Sequence, residues 1–208
     1  MNTIMNKLYF CLIPYFTAYD GTEAPQIPEC SNFLPVDLPG EDGTVYELLF
    51  GALSAKKALP RAVADAAGKE GFVSDATVVF CVKAETGALV TVGWYSHANV
   101  TPTPEVLPMT NESGGEIDHP FFFCTHRENA VLLPEDERFK PMWQIPRSKH
   151  PGKFGFDRDP FLSADTPAAD SFCRAFTENM AHYAAHGDNW LSDTEDEPTS
   201  PSDTGERQ

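Results

Sequence analysis

Asp75-Ala76-Thr77-Val78-Val79-Phe80-Cys81-Val82-Lys83 and Ala88-Leu89-Val90-Thr91-Val92-Gly93-Trp94-Tyr95, separated by Ala84-Glu85-Thr86-Gly87, are the two runs that decide the fold. Both are rich in β-branched and aromatic residues, and the short glycine-containing link between them predicts an antiparallel hairpin. Working outward, Pro120 to His126 with its three consecutive phenylalanines and Ala130 to Leu133 predict further strands, and Lys7 to Thr17 predicts one near the N-terminus. The middle of the chain therefore reads as a sheet.

Helices are expected on either side of it. Val45 to Ala67 carries Leu48, Leu49, Ala52 and Leu53, then Leu59, Val63, Ala66 and Ala67, a spacing that predicts helix in both halves. Pro60 then opens the second half or kinks a continuous helix, and Gly68 stops it. Thr166-Pro167 begins a third segment in which Phe172, Cys173, Phe176, Met180, Tyr183 and Ala184 recur at helical spacing until Gly187. Asp20 to Gly43, with Pro25, Pro28, Pro35 and Pro39, reads as an extended surface crossing pinned by Ile27, Phe33, Leu34 and Leu38. The expected architecture is one α+β domain over residues 1–187, a twisted, mainly antiparallel sheet or partly closed β-barrel with flanking helices. Asp188 to Gln208, with seven acids against Arg207, is expected to be a disordered acidic tail.

Composition narrows the function. The 208 residues are 41% apolar, enough for one core, and no run is long enough to span a membrane. Leu8 to Phe16 is broken by Pro14 and lacks the cleavage pattern of a secretory signal. Cys11, Cys30, Cys81, Cys124 and Cys173 are odd in number and widely spaced, which suits small buried hydrophobes in a reducing cytoplasm better than a disulfide framework. The net charge of −16 argues against nonspecific adsorption of the whole molecule to polyanions.

Against that background the stretch from Arg138 to Arg158 stands apart. It holds Arg138, Lys140, Arg147, Lys149, Lys153 and Arg158 against the single acid Asp157, interleaved with Phe139, Trp143, Phe154 and Phe156. Cations follow phosphates and flat rings stack on bases, so the combination points to single-stranded or flipped-out nucleic acid. Pro141, Pro146, Pro151, Gly152 and Gly155 predict a loop or short edge ribbon, and Gly152-Lys153-Phe154-Gly155 allows backbone amides close to an anion. The competing reading is that these cations neutralise neighbouring acids while the rings are core. Trp94 and Tyr95 occupy consecutive strand positions and face opposite sides, so one can present a stacking surface, or both can lie in hydrophobic layers.

Other constellations are weaker. His182 and His186 with Glu178 lie on one helical stripe, but without the adjacent glutamate of a zinc protease. Cys124, His126 and Cys81 supply three soft ligands and no fourth. Asp118-His119, Asn129 and His150 follow the acid, histidine, asparagine order of HNH nucleases, without the hairpin that separates those groups. Nucleophile-elbow and phosphate-loop signatures are absent, so binding is favoured over catalysis and no cofactor is implied.

Val92-Gly93-Trp94-Tyr95, Ala98-Asn99-Val100, Val131-Leu132-Leu133-Pro134 with Asp136-Glu137-Arg138, and Ile145-Pro146-Arg147 form an ordered set. Over about Thr77 to Phe156 it resembles a poorly characterised group of bacterial and phage proteins, some of which accompany restriction-type nucleases. The resemblance implies a compact β-rich reader of modified or extruded bases. The chain departs from that pattern at Ser96 and His97, where the group has a basic residue and an asparagine, and at Phe156 to Phe161.

The expectation is a noncatalytic nucleic-acid-binding module in which Arg138, Lys140, Arg147, Lys149 and Lys153 contact phosphates and Trp94 or Tyr95 and Trp143 stack on bases. Its rivals are an acidic inhibitor of phage or mobile-element type that mimics DNA to a protein partner such as a nuclease, and a metal-dependent nuclease using His119 and Asn129.

Overall fold

The computed structural model describes residues 7–13, 32–33, 35–40, 42–53, 58–110, 114–147, 154–156, 159–164 and 169–191. Within them lies an open eight-stranded sheet with three helices. The strands are β1 (Leu8–Leu12), β2 (Pro35–Pro39), β3 (Val45–Gly51), β4 (Val73–Lys83), β5 (Leu89–Thr110), β6 (Glu116–His126), β7 (Ala130–Leu132) and β8 (Phe161–Ser163). The helices are α1 (Arg61–Ala67), α2 (Glu135–Arg138) and α3 (Asp170–His186). Strand order is β2-β3-β6-β5-β4-β1-β8, with β7 also paired to β5. All pairs are antiparallel except β1 with β4. The ends β2 and β8 do not meet, so the expected α+β sheet is present and the barrel alternative is not.

The β4–β5 hairpin forms as its sequence dictates. Gly87 adopts φ 83° and its amide donates to the Ala84 carbonyl at 2.8 Å, closing the turn. Val78, Phe80 and Val82 point into one core layer and Val79 and Cys81 into another, so both faces of β4 are covered. The first layer also receives Val63 and Ala67 of α1. The second is closed by Cys173, Phe176, Met180 and Tyr183 of α3, which keep the helical spacing seen in the sequence. α3 begins at Asp170; the proposed Thr166-Pro167 start lies outside the described residues.

Two expectations need correction. Val45–Gly51 is a strand, not a helix: the Leu48, Leu49, Ala52 pattern is overridden by pairing on both edges, to β2 and to β6. The hairpin β2–β3 turns at Asp42-Gly43, where Gly43 has φ 82° and the Asp42 carboxylate accepts from the Thr44 amide at 3.0 Å. The supposed surface crossing therefore contains an edge strand, with Pro35 and Pro39 at its ends. The second correction concerns the tail boundary. Trp190 donates its amide to Leu132, Asn189 bonds both Ala130 and Leu132, and Leu191 is buried, so the packed chain runs at least to Leu191. Residues 192–208 lie outside the described ones.

Candidate nucleic-acid interface

The three rings expected to stack on bases all lie in the core. Trp94 and Trp143 face the α3 side with ring centroids 5.5 Å apart, and both touch Tyr183. Tyr95 points the other way, against Phe33 and Phe80. Period-two geometry separates Trp94 from Tyr95, and because the sheet is covered on both sides neither becomes a surface platform. As they stand, these rings cannot stack on a base. Gly93 has a packing reason: a Cβ there would strike the Val131 carbonyl and come within 2.8 Å of the Phe33 ring.

The cations divide. Arg138 is buried; its Nε donates to the Leu133 carbonyl at 2.8 Å and its guanidinium lies 5.3 Å from the Trp190 ring centroid. That is a structural role, and a phosphate could not reach it without opening the fold. Lys140 is half-exposed and pairs with Glu137 one turn back. Arg147 is exposed, and its guanidinium donates to the Gly87 carbonyl in the β4–β5 turn. The same stretch is fixed to β5 by Ile145 donating to Leu89 at 2.9 Å and by a bridge from Gln144 to Val90. Lys149 and Lys153 lie outside the described residues, as do His150 and Arg158. Phe139 and Met142 are the large apolar side chains exposed in this region.

The motif residues hold one another. Leu133 donates to Val92, Arg138 bonds Leu133, Trp143 packs on Trp94 and Ile145 joins the same layer. Their ordered spacing in sequence thus corresponds to a contiguous piece of core.

A feature that the sequence reading missed lies beside them. β6 and β7 run along the same edge of β5, broken by the 3-10 turn Arg127–Asn129. Asn99 faces Cys124 and Tyr95 faces Ala130, so four steps on β5 are matched by six on the β6–β7 side. The break opens a depression of about 220 Å3 lined by Trp94, Ser96, His97, Glu128, Asn129 and Asn189. On the opposite edge of β5, β4 bulges at Asp75. Asp75 and His97 are the two non-glycine residues with positive φ among those described, at 57° and 50°, and their side chains meet at 2.6 Å. Such backbone is uncommon outside glycine, though aspartate and histidine tolerate it better than most. No periodicity in the sequence announces a paired left-handed kink. A larger groove of about 530 Å3 adjoins it past Glu128, where Arg127 reaches Glu47 at 3.2 Å and also the Leu191 carbonyl.

The other candidate sets are not assembled. Among the described residues no three His, Cys, Asp or Glu side chains could hold a metal. Burial raises the Cys124 thiol to about 11, with Glu105 adding to the effect, so it stays protonated. Cys81 is fully buried on the α3 side and is raised further by the same cause. His182 and His186 stack with centroids 4.9 Å apart on the exposed face of α3. His119 sits midway along β6 while Asn129 lies beyond its end. The seven steps from His119 to His126 alone span about 23 Å of extended chain, too far for one reaction centre.

No helix among the described residues is long and apolar enough to cross a membrane. The chain matches no protein-family model, no curated protein and no solved structure.

Proposed function

We propose that the protein is a noncatalytic nucleic-acid-binding module that grips phosphates at the turn end of the β4–β5 hairpin. The observation that carries this reading is the anchored, exposed Arg147 on an otherwise acidic chain. Its guanidinium is tied to Gly87, Lys83 is exposed at the end of β4, and Lys149 and Lys153 follow within six residues in sequence. Cations gathered at one place can contact a polyanion that the remaining surface repels. With Trp94, Tyr95 and Trp143 in the core, Phe139 beside Lys140 is an exposed ring of this stretch that could stack, and the depression at Ser96, His97 and Asn129 is a hollow that could take an extruded base. The resemblance of Thr77 to Phe156 to a poorly characterised group, some of whose members accompany restriction-type nucleases, supports the same direction.

The test is fluorescence anisotropy with a short single-stranded oligonucleotide and its duplex at low and high salt. Arg147→Glu should lower affinity at least tenfold and flatten the salt dependence. Retained capture by this variant would overturn the proposal. A second reading, an acidic protein that offers carboxylates to a basic partner in place of phosphates, is favoured by the absence of lysine and arginine from the sequence between Ala84 and His126.

A further inference from the structure

β5 pairs with β4 only as far as Val100, and β6 pairs with β3 only from Phe123 onward. Among the described residues, Glu105–Thr110 and Glu116–Phe121 therefore pair only with each other, as a two-stranded ribbon extending past the other paired strands. Isolated ribbons are marginal in water, so the groups they display call for an explanation.

The register defines two faces and two edges. Val106 faces Pro120 and Pro108 faces Asp118, two steps apart and so of the same kind. Proline has no amide hydrogen and cannot occupy a hydrogen-bonded pair, so these are the pairs whose backbone donors turn outward. Pro108 and Pro120 thus stand on opposite edges where an added strand would need a donor, and extension of the ribbon by another strand is disfavoured. Side chains of this parity share a face: Val106, Pro108 and Pro120 together with Asp118 and Glu116, all exposed, Val106 at 53%. On the opposite face Glu105 is exposed, Leu107 and Met109 are half-buried, and His119 and Phe121 are buried. From Ala84 to His126 the sequence contains no lysine or arginine, and none of Glu105, Glu116 and Asp118 makes an ion pair among the described residues.

We propose that the face formed by Val106, Pro108 and Pro120 docks a basic protein, one that offers a shallow apolar groove rimmed by lysine or arginine. Charge selects this occupant. Nucleic acid and anionic lipid are repelled by the carboxylates, and a second copy would bring like charge against like charge while its prolines block edge pairing. An apolar strip with an acidic rim fits a cationic groove. The inference goes beyond the nucleic-acid reading and does not rest on it, because it uses the other end of β5.

The full chain, labelled with 15N, is titrated with a helical peptide of leucine and lysine whose lysines flank one apolar stripe; a leucine and glutamate peptide is the control. Amide shifts should concentrate in 105–110 and 116–121. Val106→Asp adds a negative charge, so diffuse attraction would strengthen binding, whereas docking on the strip predicts a loss of at least tenfold. Val106→Ser should lose several-fold and Asp118→Asn a smaller factor, with spectra outside the ribbon unchanged. Equal or tighter binding by Val106→Asp, or shifts spread across the molecule, would overturn the proposal. So would a dimer in sedimentation that Val106→Asp abolishes, because the occupant would then be a second copy.

Discussion

The two ends of β5 differ more than any other pair of regions in this molecule. At its start, Leu89 and Val90 are covered by the chain that delivers Ile145 to the core and Arg147 to the hairpin turn. At its finish, Glu105 to Thr110 leave the sheet with one partner strand and no cation nearby in sequence. One end is anchored through a buried layer and displays positive charge; the other is held by a single ladder and displays carboxylates on an apolar strip. A net charge of −16 is thus unevenly spread, and the two ends suit different partners. The segment between them, Gly93 to Val100, is buried apart from Ser96, His97 and Asn99, and it keeps the ends apart.

The largest effect should come from breaking that middle. Trp94→Ala empties a site at 1% exposure between Trp143 and Tyr183 and should lower stability by about 3–5 kcal/mol. The measurement is the denaturant midpoint, compared with oligonucleotide affinity under native conditions. If Trp94 were a stacking platform, affinity would fall while the midpoint stayed put. The core role predicts the reverse order, with stability lost first and both ends failing together. Gly93→Ala should also destabilise strongly, because the obstructing Val131 oxygen belongs to the paired backbone.

Next in size is the contrast between the ends themselves. Arg147→Glu should reduce oligonucleotide affinity at least tenfold at low salt and leave the leucine and lysine peptide unaffected. Val106→Asp should do the opposite, and since Val106 is exposed its effect on stability should stay within about 0.5 kcal/mol. Anisotropy and peptide titration on the same two variants give four numbers. A variant that weakened both ligands alike would make the ends one surface and remove the distinction.

How much of this was legible in the sequence depends on what each signal measures. The β4–β5 hairpin and α3 were readable because their apolar residues recur at a period that pairing or packing then satisfies. Val45–Gly51 was misread because Leu48, Leu49, Ala52 and Leu53 fit a helical stripe, while the stronger signal, Asp42-Gly43 between two β-rich runs, lay just before it. The cationic stretch was visible, but whether each cation is displayed or consumed is a tertiary fact. Nothing in the local sequence says that Arg138 turns inward to Leu133 and Trp190 while Arg147 turns outward. The buried rings follow the same logic: a run that is apolar on both strand faces shows that the sheet is covered, yet it cannot show which element covers it. The break between β6 and β7 depends on a two-residue mismatch between separate strands, which no single stretch encodes.

The smallest expected effect tests the weaker end by pH. His119 lies on the inner face of the ribbon at 8% exposure, and burial holds its titration below the ordinary 6.5. The unfolded ribbon therefore takes up a proton near pH 6.5, while the folded ribbon resists until the pH is lower. Below 6.5 the unfolded form binds more protons, so stability falls with pH until the folded imidazole also titrates. Amide exchange in 105–110 and 116–121, corrected for its intrinsic pH dependence, should accelerate a few-fold between pH 7.5 and 5.5, and His119→Phe should flatten that change. Exchange around Leu89 and Val90 should not follow it. Glu105 on the same face, and Asp118 and Glu116 on the other, are the carboxylates of the ribbon, and a carboxylate close enough would favour the imidazolium. If their field outweighed burial, the ribbon would tighten as the pH fell. The sign of the change therefore reports whether burial of His119 or the field of the ribbon's carboxylates governs this end of β5.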